Sequence, residues 1–295
     1  MSDRHETIAH VRKSSAGEWV LHSLEGHCRS VAKLASDFAS PFGGSDWAHL
    51  AGLWHDLGKF LPEWQRYIRK ATGYDPEAHL EGVSGRVNHS DAGMVWAFTR
   101  YPEPARRHVA KILAYLIGGH HAGLPDWEPD ACGGDLVNRI FENPLDSRIH
   151  LDQVKRLESL DATTVIMNQA LPTAPPLQAG DPESAHGRIE HLHLWVRMLY
   201  SCLVDADFLD TEAFMCPEKV DARSGFAKLE DLKTRLGVHM DALTGKAAKT
   251  PVNVVRQQVL QACRQKATLA PGFFSLNVPT GGGKTDMMIA LIRWC

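Results

Sequence analysis

His55-Asp56-Leu57-Gly58-Lys59 is the stretch on which the reading of this chain turns. Residues 47–54 before it are apolar at helical spacing, and Gly58 breaks that helix just past the His-Asp pair. An imidazole next to a carboxylate offers two metal-ligating groups. Neighbours on a helix diverge by about 100°, so these two reach one centre only at a distorted helix end, or through an aspartate that bridges two ions.

Working outward, the same residue types recur at helix boundaries. His27 opens a helix over residues 24–38, which Pro41-Phe42-Gly43-Gly44 ends. His89 starts a helix over 89–100, and His120-His121 follow a helix over 104–117 at the break Gly118-Gly119. Asp207 lies in the longest apolar helix, residues 189–209, where an unpartnered carboxylate is costly. Each has a plainer explanation alone. A histidine at a helix start is a cap or surface group, a His-His pair is incidental, and a helical aspartate salt-bridges a base. In sequence order on a helical scaffold, they read together as a metal site. Two positions have rivals: His22 competes with His27, and Asp205 with Asp207.

The remaining elements frame the site. Residues 1–20 suit a short strand or extended arm. An amphipathic helix is expected over 62–70, loops over 71–88 and 122–135, helices within 136–169, and a connector over 171–187. The long helix should stop at Asp210-Thr211-Glu212. Two more helices cover 224–246 and 250–266, the second with Val255, Val259 and Cys263 on one face.

A second motif lies near the C-terminus. Val278-Pro279-Thr280-Gly281-Gly282-Gly283-Lys284-Thr285 follows a buried strand read over 273–278 and precedes a helix from 287. In that context the glycine run cradles phosphates, Lys284 reaches the outer phosphates of ATP, and Thr285 ligates Mg²⁺. Thr280, Gly281, Gly282, Gly283, Lys284 and Thr285 are therefore the candidate nucleotide-binding residues. No acidic pair follows the loop to hold Mg²⁺, so this segment is not expected to hydrolyse ATP. The architecture expected is mainly α, a helical bundle over 1–245, followed over 246–295 by the truncated start of an α/β domain.

Composition narrows the function class. A net charge of −3 gives no global nucleic-acid footprint, so an anionic substrate has to be met by local basic groups or metal. The six cysteines form no C-x-x-C pair, and no signal peptide is read, which points to reduced thiols in the cytoplasm. No apolar run approaches the roughly 18–20 residues of a membrane span.

The order His, His-Asp, His, Asp resembles the HD phosphohydrolase superfamily. The His-His pair, Gly58-Lys59 and the downstream phosphate loop narrow the resemblance to the CRISPR-associated nuclease-helicases of type I systems. It is carried by Leu24-Glu25-Gly26-His27, His55-Asp56-Leu57-Gly58-Lys59, Asn88-His89-Ser90, Gly118-Gly119-His120-His121 and Asp205-Ala206-Asp207-Phe208-Leu209-Asp210-Thr211-Glu212. The last string resembles subtype I-C members. The resemblance implies an HD-superfamily bundle with metal ligands at His27, His55, Asp56, His89, His120, His121 and Asp207, Asp56 bridging two ions. The register before Val31-Ala32 favours His27, and Ala-Asp before two apolar residues favours Asp207. It further implies two divalent transition metals (Mn, Ni, Co or Fe) or Mg²⁺, with Asp56 catalytic; Lys59, one turn beyond Asp56, either serves catalysis by contacting the scissile phosphate or complements the helix dipole, and Arg86 is a weaker phosphate contact. The RecA-like helicase start would use ATP and Mg²⁺, and Arg256-Gln257 resembles its adenine-reading segment. Expected partners are single-stranded DNA, a crRNA-guided surveillance complex and an anti-CRISPR protein. The competing readings are a nucleotide phosphohydrolase of the same superfamily and an inactive interaction module.

Overall fold

The computed structural model describes residues 7–75, 89–100, 104–124, 126, 144–172, 185–223, 227–269 and 275–282. By its internal contacts the chain divides into two units, Met1–Asp221 and Ala222–Cys295.

The first unit opens with an antiparallel hairpin, β1 (Ile8–Lys13) and β2 (Trp19–Ser23). The register sets His10 opposite His22, Val11 opposite Leu21 and Lys13 opposite Trp19, with an irregularity between Ile8 and His10. Directly after the hairpin come the helices α1 (Leu24–Ala39), α2 (Ser45–Trp54), α3 (Pro62–Thr72), α4 (Ser90–Thr99), α5 (Pro104–Gly119), α6 (Pro144–Glu158), α7 (Asp161–Met167) and α8 (Ala185–Met215). Ser23 caps α1, its hydroxyl accepting from Gly26 N at 3.1 Å. A 3-10 turn at Leu57–Phe60 separates α2 from α3.

The core gathers one face from each of α1, α2, α4, α5 and α8. Val31, Ala35, Leu50, Trp54, Met94, Leu113, Ile117 and Leu203 are all buried in it. Small residues let α1 and α2 approach closely. Two polar groups caught among these helices find partners: Trp54 Nε1 donates to Ile166 O at 2.8 Å, and Thr163 Oγ1 donates to Leu157 O at 2.5 Å. A smaller apolar cluster of Ile8, Val11, Trp64 and Ile68 seats the hairpin on α3. Gln65 reinforces it, its side chain accepting from Ile8 N at 2.9 Å and donating to Ile8 O at 3.0 Å.

Two expectations are corrected and a third, the N-terminal strand, is extended. The long helix α8 does not stop at Asp210-Thr211-Glu212 but runs on to Met215. Both acids have partners, Asp210 at His27 and Glu212 at Lys219, so neither forces the helix to end. Pro217 comes just after the actual end, where a missing N–H and a ring clash with the preceding turn stop propagation. The N-terminal segment forms a true two-stranded sheet. Residues 275–278 of the expected C-terminal strand, in turn, adopt no regular structure. An isolated strand leaves its N–H and C=O groups unpaired, and no described strand of its unit lies alongside.

The helix α9 (Pro217–Arg223) spans the division between units. The second unit contains α10 (Leu229–Lys246) and α11 (Pro251–Lys266). Thr250 caps α11 by accepting from Asn253 N at 3.3 Å. Leu260 and Cys263 are its buried residues; Val255, expected on the same face, is exposed. No helix among the described residues is long and apolar enough to cross a membrane.

Candidate metal centre

Helix ends build this site. The backbone stays helical through His55, then Asp56 leaves the helix with φ −109° and ψ 17°. That break removes the divergence a continuous helix would impose, and His55 Nε2 comes 3.2 Å from Asp56 Oδ2. Gly58 completes the bend. A Cβ there would overlap the backbone of His89, so only glycine lets the 3-10 turn lie against the start of α4. His120 and His121 follow the last turn of α5, and the Tyr200 hydroxyl donates from α8 to Gly119 O at 3.2 Å beside them.

Asp56 sits at the middle, fully buried, with its two oxygens facing different donors. His27 Nε2 lies 3.3 Å from Oδ2, on the same side as His55, and Asp207 Oδ1 closes that group at 3.3 Å from His27 Nε2 and 3.6 Å from His55 Nε2. Oδ1 instead meets His89 Nε2 at 3.3 Å and His120 Nε2 at 3.8 Å. His121 Nε2 is 2.7 Å from His89 Nε2. Two sets of convergent ligand atoms result: His27, His55 and Asp207 in one, and Asp56, His89, His120 and His121 in the other. All seven residues read from the sequence as ligands are thus brought together. Of the rivals, Asp205 is exposed, and His22 is set back behind the His27 ring, 5.3 Å away by centroid.

Several of the donor atoms are buried without a protein hydrogen bond. This holds for His27 Nε2, His55 Nε2, His120 Nε2 and both Asp56 oxygens. Unsatisfied buried polar atoms are costly, and so many aimed at one volume fit a bound cation. The opposite ring nitrogens are engaged. His55 Nδ1 donates to Gly52 O at 2.8 Å and His120 Nδ1 to Ile117 O at 2.6 Å, which leaves Nε2 free to ligate. His27 Nδ1 pairs with Asp210 Oδ2 at 2.6 Å. The mixture of imidazole and carboxylate suits divalent first-row metals.

The charges follow from this crowding. Burial pushes His27 down, but Asp207, Asp210 and Asp56 together raise it to about 10. His55 likewise overcomes burial through Asp56 and Asp207 and reaches about 9. His89 is lowered to about 4 and His120 to about 3, chiefly by burial, with Asp56 only partly compensating. For Asp56 burial acts upward, yet the charges of His55 and Lys59 and the His27 contact hold it well below the carboxylate range. Asp207 is held low despite burial by its contacts with His27 and His55.

Lys59, expected as a phosphate contact, is itself inside the site. It is buried, with Nζ 2.6 Å from Asp56 Oδ2 and 5.2 Å from the Trp64 ring centroid. Asp210, a helix stop by sequence, instead joins the site through His27. Its spacing of three from Asp207 puts both on one face of α8, a signal that was available. His10 also escaped notice, since its proximity comes from hairpin pairing. Arg86 lies outside the described residues.

In the second unit, Thr280, Gly281 and Gly282 form a turn, with Gly281 at φ 82°. Arg256 donates to Gly281 O through Nε at 3.1 Å and also through Nη2. A cavity of about 470 Å³ beside it is lined in part by Thr244, Asn253, Arg256, Gln257 and Gly281. Gly283, Lys284 and Thr285 lie outside the described residues.

No curated protein matches the chain significantly. The family model for the Cas3 HD domain matches residues 4–199, two thirds of the chain, and takes in every convergent histidine of the centre. The chain therefore belongs to the Cas3 HD domain family, metal-dependent HD nucleases of CRISPR systems.

Proposed function

We propose that this chain cleaves single-stranded DNA by metal-dependent phosphodiester hydrolysis during type I CRISPR interference. The observation that carries the reading is Asp56, buried between two sets of inward-facing donors. His27, His55, Asp56 and Asp207 would hold one divalent ion, and Asp56, His89, His120 and His121 a second. Divalent ions so bound supply Lewis-acid stabilisation of phosphate charge and lower the pKa of a water near neutrality.

The chain's own residues do the rest. Gly52 O, Ile117 O and Asp210 orient the histidines so that Nε2 points inward. Trp64, stacked edge-on to His89 at 5.9 Å, walls the site from water on that side. Lys59 Nζ, held against Asp56, is the cation placed to meet a scissile phosphate or leaving oxygen. His121 is exposed and Asp207 partly so, which leaves the site open on that side to a continuous strand.

Residues 246–295, within the second unit, are read as the start of a RecA-like helicase domain. The Gly281 turn and the adjoining Arg256 and Gln257 support that reading. A crRNA-guided surveillance complex would then deliver the DNA. An anti-CRISPR protein is a further expected partner.

Asp56→Ala tests the nuclease reading. It should abolish cleavage of a single-stranded oligonucleotide with Mg²⁺, Mn²⁺, Ni²⁺ or Co²⁺, and bound metal should fall by at least one equivalent. Full activity in this variant would remove the two-metal mechanism. Rapid hydrolysis of deoxynucleotides with no oligonucleotide cleavage under any of the four metals would favour a nucleotide phosphohydrolase instead.

A further inference from the structure

We propose that His10 and His22 form a third divalent transition-metal site, separate from the Asp56 centre, with Asp210 orienting the His22 ring. The hairpin register places the two histidines directly opposite each other. Opposed residues share one face with Cβ atoms about 4.5–5.5 Å apart, so their rings can converge. Here the two Nδ1 atoms are 3.2 Å apart. Two imidazole nitrogens bound to one tetrahedral ion at about 2.0–2.1 Å would be separated by about 3.3 Å.

The surroundings fit a ligand pair. His22 Nε2 faces Asp210 Oδ2 at 3.5 Å, an electrostatic contact that favours the ring orientation with Nδ1 towards His10. Phe214, one turn further along α8, stacks on the His22 ring at 4.5 Å and 14°. The site is distinct from the Asp56 centre because His27 stands between them. Its ring meets His10 edge-on at 4.9 Å, while its Nε2 is directed at Asp56 and Asp207. Both hairpin histidines are partly exposed, so an ion can enter from solvent.

Imidazole pairs select Zn²⁺, Ni²⁺, Co²⁺ or Cu²⁺ over Mg²⁺. Two protein ligands leave positions for water or a phosphate oxygen. An ion here would thus add positive charge beside the main centre in a chain whose net charge is −3. That consequence for DNA rests on the nuclease reading; the ion site itself does not. The simpler account of the pair is a hydrogen bond from one Nδ1–H to the other ring.

Counting bound metal separates the two accounts. The full metal-free chain, its His10→Gln/His22→Gln variant and its Asp56→Ala variant would each be titrated with Zn²⁺ by calorimetry, with bound zinc counted after desalting. The double variant should bind one equivalent fewer than the unmodified chain, and Asp56→Ala should keep that equivalent. Equal counts in the unmodified chain and the double variant would overturn the site. Undiminished zinc in Asp56→Ala would tell against the Asp56 centre, and the histidine comparison would still decide this one. A measurement on the unmodified chain guards against misfolding. In its histidine ¹⁵N spectrum, Zn²⁺ should shift the Nδ1 signals of His10 and His22, and unmoved signals would refute the proposal.

Discussion

At the scale of single residues, the centre is a balance of opposed charges that a bound cation would replace. Without metal, His27 and His55 are raised to about 10 and 9, so each favours the native state in its protonated form. That stability is complete below about 6.5, the ordinary histidine value, and is lost as pH rises towards 9–10. His89 and His120 act the other way. Lowered to about 4 and 3, they favour a neutral native state, whose stability is lost as pH falls below about 6.5. The metal-free chain should therefore show its highest thermal midpoint near neutrality and lose stability in both directions, which a pH series of melts in chelator would detect. A midpoint rising steadily from pH 5 to 10 would contradict these environments. Asp210 supplies a second test at this scale. Asp210→Asn removes the charged acceptor at His27 Nδ1 and should weaken metal binding by about 10–100-fold, the usual cost of losing an outer partner. Metal affinity unchanged in a calorimetric titration would make Asp210 a bystander.

At the scale of elements, what the sequence discloses is the set of helix ends. Hydrophobic periodicity with capping and breaking residues locates α1, α2, α3, α4 and α5 closely, and those ends are where His27, His55, Asp56, His89 and His120 reside. Contacts that depend on approach in space were harder to read. The hairpin pairing of His10 with His22 has no helical period to announce it, and Asp210 looked like a terminator until Lys219 and His27 partnered the acids around it. Residues 275–278 of the strand read over 273–278 are irregular for the complementary reason: no described strand of their unit offers a ladder to join. Gly58 joins local sequence to site geometry, since it breaks a helix and also admits the backbone of His89. Gly58→Ala should cost about 1–3 kcal/mol by overpacking and weaken metal binding, because His89 would have to move. Denaturant melts and zinc titration of the variant check both effects; a variant as stable and as metal-competent as its parent would show that the turn can give way.

At the scale of the whole molecule, the candidate metal centre resides in one of the two units. Every convergent residue lies between His10 and Asp210, within Met1–Asp221, and that unit has an extensive buried core of its own. A unit that buries its own apolar faces should fold and hold metal independently. The described helices of the second unit bury much less. Leu260, Cys263 and Met240 are inside, while Val238, Leu243, Val252 and Val255 are exposed at 50–67%. Little apolar burial means easy local opening, and proteases cut what opens most readily. Brief proteolysis should therefore degrade Ala222–Cys295 first and leave a resistant fragment ending near Asp221. That fragment should keep the metal content and the single-stranded DNA cleavage of the intact chain. Lys284→Ala should likewise leave both unchanged, since the candidate ligands lie within Met1–Asp221. Loss of metal or cleavage on trimming, with the fragment still folded by circular dichroism, would mean that the second unit supports the nuclease centre directly.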